Sequence, residues 1–341
     1  MIPRVQLTPD YSISRVIKGG WHLAGGHGEI NPDEAIADMA RFVEAGITTF
    51  DCADIYAGVE ELIGAFRRAY PSLARQIQIH TKYVPDLSAL RSLTPEDVAR
   101  GIDRSLRRLG VERLDVVQFH WWDYAAPHYV ETALALDRLR AAGKIGHVSL
   151  TNFDAPRLTE ILAAGVCVLS HQVQYSLIDD RPAGAMARLC AENSVSLLSY
   201  GALAGGFFSG RWLGASEPTD LTNRSLIKYK LIIDDFGGWD LFQELLRTLD
   251  LIARKHGATI AQIAARLVLD KPAVAAVIIG ATSTAHLEEH VGIFALDLSL
   301  KDRAGIDQVL SQRRGPEGDV YDLERDRHGR HGAIMKYELN A

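Results

Sequence analysis

Short runs of β-branched and aliphatic residues alternate with amphipathic helical segments along most of this chain, and no other feature constrains its fold as tightly. Runs at 15–19, 47–51, 77–82, 114–120, 144–151, 169–174, 195–200 and 274–279 read as strands. The helices between them announce their ends. Asn31-Pro32-Asp33-Glu34 supplies an N-cap, a proline at the first helical position and an acid at the third, with Ile36, Met39 and Val43 on one face and Gly46 as C-cap. Thr94-Pro95-Glu96-Asp97 repeats the device ahead of Val98, Ile102, Leu106, Leu109 and Gly110. Later helices carry Leu241, Leu245, Leu249 and Ile252, then Ile263 and Leu267 behind the caps Thr259 and Gln262. Strands joined through helices run parallel, and eight of them bury both faces by closing into a barrel. A doubly wound sheet for a dinucleotide would carry G-x-G-x-x-G in its first turn, and that fingerprint is absent. The expectation is an α/β chain forming one (β/α)8 TIM barrel over residues 1–312.

Two segments depart from the repeat. The glycine-rich stretch 201–239 is too long for an ordinary strand-to-helix connection and reads as a functional loop, a candidate lid. Residues 313–341 form a tail dense in Arg, Asp, Glu and Gly, expected either to solvate or to pack near the barrel mouth.

With 341 residues, 47% apolar and 23% charged, the chain can bury a large core. Its net charge of -6 gives no basic face for nucleic acid or an anionic membrane. The three cysteines, Cys52, Cys167 and Cys190, show no C-x-x-C spacing, so neither a disulfide framework nor a zinc site is expected. No signal-like or ~18-residue apolar run is visible, which points to the cytoplasm. His22 and His27 lack a third ligand, so no metal is expected.

Barrel active sites form at the C-terminal ends of the strands. Asp51 ends the second barrel strand with Tyr56 in the loop after it, Lys82 ends the third, and His120 ends the fourth. A lysine ammonium bonded to a phenol favours the phenolate, so Lys82 is expected to lower the pKa of Tyr56 and ready it for acid–base work.

Asp51-Cys52-Ala53-Asp54-Ile55-Tyr56, Ile79-His80-Thr81-Lys82 and Val117-Gln118-Phe119-His120 resemble the corresponding segments of the aldo-keto reductases, in family order. The resemblance implies a catalytic tetrad of Asp51, Tyr56, Lys82 and His120: the tyrosine moves the proton, the histidine orients the carbonyl, the lysine tunes the tyrosine, and the aspartate pairs with the lysine. It also implies an NAD(P)-dependent oxidoreductase acting on an aldehyde, ketone or sugar. The alternative of a regulatory subunit that binds NAD(P) with little turnover is opposed by the intact tetrad.

The same resemblance assigns Thr151, Asn152 and Gln172 to the nicotinamide carboxamide and Tyr200 to the ring face. The segment Gly201, Leu203, Gly205 to Arg211 is similar to the family's pyrophosphate belt, and the adenosine end falls on Gly280, Thr282, His286, Glu289 and His290. NADP-specific relatives place Lys or Arg there. A 2′-phosphate lacking such partners forgoes roughly 1.5–3 kcal/mol per charge-assisted bond, so NAD is expected over NADP, with Arg224, Lys228 and Lys230 as the charges that would reverse this. NAD use would make Tyr56 mainly a base in dehydrogenation. Trp21, Trp121 and Trp122 follow strand ends and are expected to face a sugar ring or an aromatic aldehyde.

Overall fold

A computed structural model of the chain describes residues 2–25 and 28–340; His27 lies outside them. A hairpin of β1 (Arg4–Thr8) and β2 (Tyr11–Ser14) precedes eight parallel strands: β3 (Val16–Gly19), β4 (Thr49–Asp51), β5 (Gln78–Tyr83), β6 (Leu114–Phe119), β7 (Ile145–Thr151), β8 (Val168–Gln174), β9 (Ser196–Tyr200) and β10 (Val274–Gly280). These eight close into a barrel in chain order, β10 pairing with both β9 and β3. The (β/α)8 TIM barrel expected from the alternation is what the chain forms.

The caps act as read. The Asn31 side chain accepts from the amides of Asp33 and Glu34 at the head of helix Pro32–Glu44. Thr94 and Asp97 form a capping box on helix Pro95–Leu109, which Gly110 ends in the left-handed conformation. The hairpin was not foreseen. It closes the N-terminal end of the barrel, where Tyr11 Oη lies 3.1 Å from Nε2 of buried His80.

The stretch 201–239 departs from its expectation as a loop. It holds two short 3-10 turns and a helix, Arg224–Phe236, capped by Asn223. Phe207, Phe208, Trp212, Tyr229 and Phe236 join Trp239 and Phe242 of the next helix in a second hydrophobic core outside the barrel. Burial of several aromatic side chains, each worth roughly 1.5–3 kcal/mol, holds this segment across the mouth.

The tail also packs on the barrel. Tyr321 and Glu324 are buried, Leu87 N donates to Tyr337 O at 3.0 Å, and Asp86 Oδ1 accepts from the amides of Leu339 and Asn340. Among the described residues no helix is long and apolar enough to cross a membrane.

Candidate active site

Strand pairing, with the loop after β4 for Tyr56, brings the four expected residues together. Because β4, β5 and β6 are neighbours in parallel register, Asp51 lies beside His80, Lys82 beside Gln118, and alternation turns Asp51, Lys82 and Gln118 inward at the mouth. Lys82 Nζ donates to both oxygens of Asp51, at 2.8 and 2.7 Å, and to the carbonyl of Cys52 at 3.0 Å. Asp51 Oδ1 also accepts from Gln118 Nε2 at 2.9 Å and Gln172 Nε2 at 2.6 Å. A buried carboxylate facing one ammonium and two amides is well compensated.

Lys82 Nζ is 5.0 Å from the centroid of the Tyr56 ring. Burial pushes the phenol above its usual value, and the opposing pull of Lys82 only partly offsets it. The expected lowering by lysine is present as a contribution, but burial prevails, so Tyr56 holds its proton at neutral pH. Burial alone would depress Lys82, yet Asp51 and Tyr56 outweigh it and keep the amine above its ordinary value.

His120 is buried against the edge of Trp122, ring centroids 4.3 Å apart. Its Nδ1–H donates to Thr151 O at 3.3 Å, while Nε2 finds no partner among the described residues. Burial first, then the charge of Arg325, lowers its pKa to about 3. The ring is therefore neutral. With the proton on Nδ1, Nε2 presents a lone pair.

One cavity of about 1030 Å³ connects this cluster to the expected dinucleotide residues. It passes Thr151, Asn152, Gln172 and Tyr200, follows Gly201, Leu203, Gly205 and Arg211, and ends at Gly280, Thr282, His286, Glu289 and His290. The Thr151 hydroxyl donates to Gln172 O at 3.1 Å, and Tyr200 Oη donates to Asn152 Oδ1 at 2.8 Å. The amide of Gln172 is engaged by Asp51 and by Gln118 Oε1 at 2.8 Å. Gly201 has a left-handed φ of +73°, and a Cβ there would stand 2.3 Å from Tyr229 Oη. Gly280 packs on His22, whose Nδ1 would meet a Cβ at 1.7 Å.

At the far end, exposed His286 lies 2.7 Å from Glu289 Oε1, and Thr259 Oγ1 donates to Glu289 Oε2 at 3.0 Å. His290 is buried against Phe42 with Nδ1 unpartnered among the described residues, and burial lowers its pKa to about 4. No Lys or Arg from 280–290 lines this end.

Of the tryptophans expected at the substrate, Trp21 and Trp122 line the cavity, and Trp21 packs 5.1 Å from Tyr56. Trp121 does not. Its side chain is fully buried against Phe119, with Nε1 donating to Ala126 O, because adjacent residues leaving a strand point to opposite sides.

Several residues stand at the site that were expected elsewhere, as Lys228 was at a 2′-phosphate, or not at all. Gln118 sits two positions before His120 and shares its inward face, a period-2 signal present in the sequence. Lys228, from helix Arg224–Phe236, places Nζ 5.2 Å from the Tyr200 ring and 3.6 Å from Glu324 Oε1. Tyr321 sets its ring 5.4 Å from His120. Nothing in the tail's composition marks it as a wall of the site.

Comparison with known proteins places the chain in a family and agrees with its fold. The family model described as Aldo/keto reductase family matches residues 15–311. The chain is 27% identical to probable aldo-keto reductase 1 of Glycine max over 322 residues, covering 92% of this chain and 88% of that one. It is 24% identical to the NADH-specific methylglyoxal reductase of Escherichia coli, covering 86% and 93%. The solved structure of a glycerol dehydrogenase from Gluconobacter oxydans superposes with a TM-score of 0.76 at 23% identity, covering 93% of this chain and 97% of that one, a likeness of fold.

Proposed function

This chain belongs to the aldo/keto reductase family and is an oxidoreductase, and from that premise we propose that it reduces hydroxylated aldehydes or sugars with NADH, using Tyr56 as the proton donor. The observation that carries the reading is the joining of Asp51, Lys82, Tyr56 and His120 in one cavity, with the carboxylate spent on the lysine and the imidazole nitrogen unspent.

A nicotinamide dinucleotide fits the residues present. The cavity is long, orphaned nitrogens of His120 and His290 stand at its two ends, and Arg211 with the backbone of 201–210 lies between them. When bound, the cofactor supplies the hydride. Thr151, Asn152 and Gln172 would hold its carboxamide, Tyr200 its ring, and Glu289 and His290 its adenosine. Tyr56 Oη gives its proton to the carbonyl oxygen as negative charge develops there, and Lys82, kept charged by Asp51, stabilises the phenolate that remains. A phenol that holds its proton at neutral pH is in the form that donates in reduction, and the phenolate it leaves takes the proton back in dehydrogenation.

His120 adds a substrate requirement. The resemblance assigns it to the carbonyl oxygen, but a ring that gives its only proton to Thr151 accepts at Nε2 and cannot donate to a carbonyl. It suits a hydroxyl beside the reacting carbon. Trp21 and Trp122 offer faces for the carbon skeleton of such a molecule.

The NAD preference rests on the adenosine end, where Glu289 holds His286 and no Lys or Arg of 280–290 lines the cavity. A 2′-phosphate brought there would meet a carboxylate. That the relative from Escherichia coli is named NADH-specific supports the same choice.

The test is turnover, followed by nicotinamide absorbance, with NADH and NADPH against paired substrates such as glycolaldehyde and acetaldehyde. Higher kcat/KM with NADH and with the hydroxylated partner is expected. Preference for NADPH overturns the cofactor assignment, and equal rates on the pair overturn the role of His120 Nε2.

A further inference from the structure

Arg325 comes from the tail, more than 150 positions along the chain from the loops it touches, and it reaches into the mouth of the barrel. Its Nη2 donates to two backbone carbonyls, Trp121 O at 3.0 Å and Asn152 O at 2.7 Å. Trp121 directly follows His120, and Asn152 directly follows Thr151, whose own carbonyl takes the His120 Nδ1 proton. One nitrogen thus ties together the ends of β6 and β7 at the point where both carry site residues. Asn152 has a left-handed φ of 63°, a conformation that costs a non-glycine residue about 1–3 kcal/mol unless its surroundings enforce it. The bond from Arg325 to its carbonyl is one such restraint, and the bond from Tyr200 to its side chain is another.

The guanidinium is itself held flat. It stacks 4.1 Å from the Tyr124 ring centroid and 5.2 Å from that of Tyr321, and Tyr321 in turn sets its edge-on ring against His120. Tyr124 Oη accepts from the amide of Asp154 just beyond β7. The carboxylates around Arg325 are committed elsewhere: Asp154 to Arg157, and Asp319 to the amides of Ala155 and Val320. Nε and Nη1 of Arg325 find no partner among the described residues. A surface arginine that only anchored a tail would normally pair with a carboxylate; this one spends its bonds on backbone carbonyls and leaves its charge facing His120.

We propose that Arg325 is a positioning residue for hydride transfer, fixing the imidazole of His120 and the side chain of Asn152 by bridging the carbonyls of Trp121 and Asn152. The proposal rests on the role given above to His120. Its charge acts alongside the bridge. The groups facing His120 are Lys82 from β5, Lys228 from the helix across the mouth, Arg325 and Tyr321 from the tail, Trp122, and the Thr151 carbonyl; of the cations, Arg325 contributes most to keeping the imidazole neutral. Neutrality matters because protonated Nε2 can no longer accept from a substrate hydroxyl.

The test compares Arg325→Met and Arg325→Lys with wild type in the full-length enzyme, measuring kcat and KM for glycolaldehyde from pH 4 to 9 and NADH affinity by fluorescence. Arg325→Met is expected to lower kcat ~10–100-fold, the scale of a small misplacement of a reacting group, with NADH affinity changed less than ~2-fold. It should also bring a new acid inflection above pH 4, absent from wild type, below which the rate falls. Arg325→Lys, which keeps the charge but not the planar fork, should lack that inflection and recover kcat only in part. In a His120→Phe background the Arg325→Met change should cost less than ~3-fold, since coupled residues are not additive. Wild-type kcat and pH profile in Arg325→Met overturn the proposal while leaving His120 in place. Wild-type kcat in His120→Phe alone overturns both. If Arg325→Met does not fold, Arg325→Lys decides: reduced kcat at unchanged NADH affinity supports the bridge, and wild-type kcat removes it.

Discussion

Lys82 is held by both oxygens of Asp51, and that pair is almost wholly removed from solvent, with side-chain exposures of 6% and 5%. Removing one partner of a buried ion pair leaves the other charge uncompensated, at a cost of roughly 3–5 kcal/mol. Asp51→Asn should therefore destabilise the fold by about that amount and lower the pKa of Lys82. Denaturant unfolding checks the first; a wild-type midpoint would show that Lys82 does not depend on the carboxylate, its bond to the Cys52 carbonyl sufficing.

Gly201 bears a second prediction. A Cβ there meets Tyr229 Oη at 2.3 Å, and the φ of +73° is unfavourable for any other residue. Gly201→Ala should cost about 1–3 kcal/mol in strain and, by moving the belt that begins at 201, weaken NADH binding. Fluorescence titration measures the latter; unchanged affinity would place the pyrophosphate elsewhere.

Acid should loosen the tail in a defined window. Burial would raise the pKa of Glu324, but Lys228 and Arg181 outweigh it and hold the carboxyl at about 2, below its ordinary 4.5. A carboxyl depressed in the folded state stabilises above its unfolded pKa, and the contribution is lost as pH falls through the folded one. Protection of 313–340 in hydrogen exchange should thus decline between pH 4.5 and about 2. Glu324→Gln should show weaker protection at pH 7 and little further loss in that window; a decline equal to that of wild type would assign the acid response to another group.

Much of the barrel was legible because caps and strands are local signals. Asn31, Thr94 and Thr259 each start a helix where the pattern places it, and the eight strands fall within two residues of their expected bounds at either end. Helix Arg224–Phe236 has the spacing to be read, with Leu226, Tyr229, Ile233 and Phe236 on one side, but the glycines before it made the whole stretch look like loop. Asp51, Lys82 and His120 could be grouped because they mark the ends of three successive strands, and Tyr56 because it lies in the loop directly after the first of these. Trp121 was misplaced for want of the turn geometry after β6. Arg325 and Glu324 were invisible: their partners, Trp121, Asn152, Arg181 and Lys228, are more than 90 positions away, and no local pattern encodes a contact of that range.

The central claim is that Tyr56 delivers the proton. Tyr56→Phe removes one oxygen from a ring that otherwise keeps its contact with Trp21, so cofactor binding should be spared. Steady-state reduction of glycolaldehyde by NADH, measured beside NADH affinity, should show kcat lower by ~10²–10⁴-fold with affinity changed less than ~2-fold, the signature of a group that acts in the transition state. A variant with wild-type kcat would contradict the mechanism.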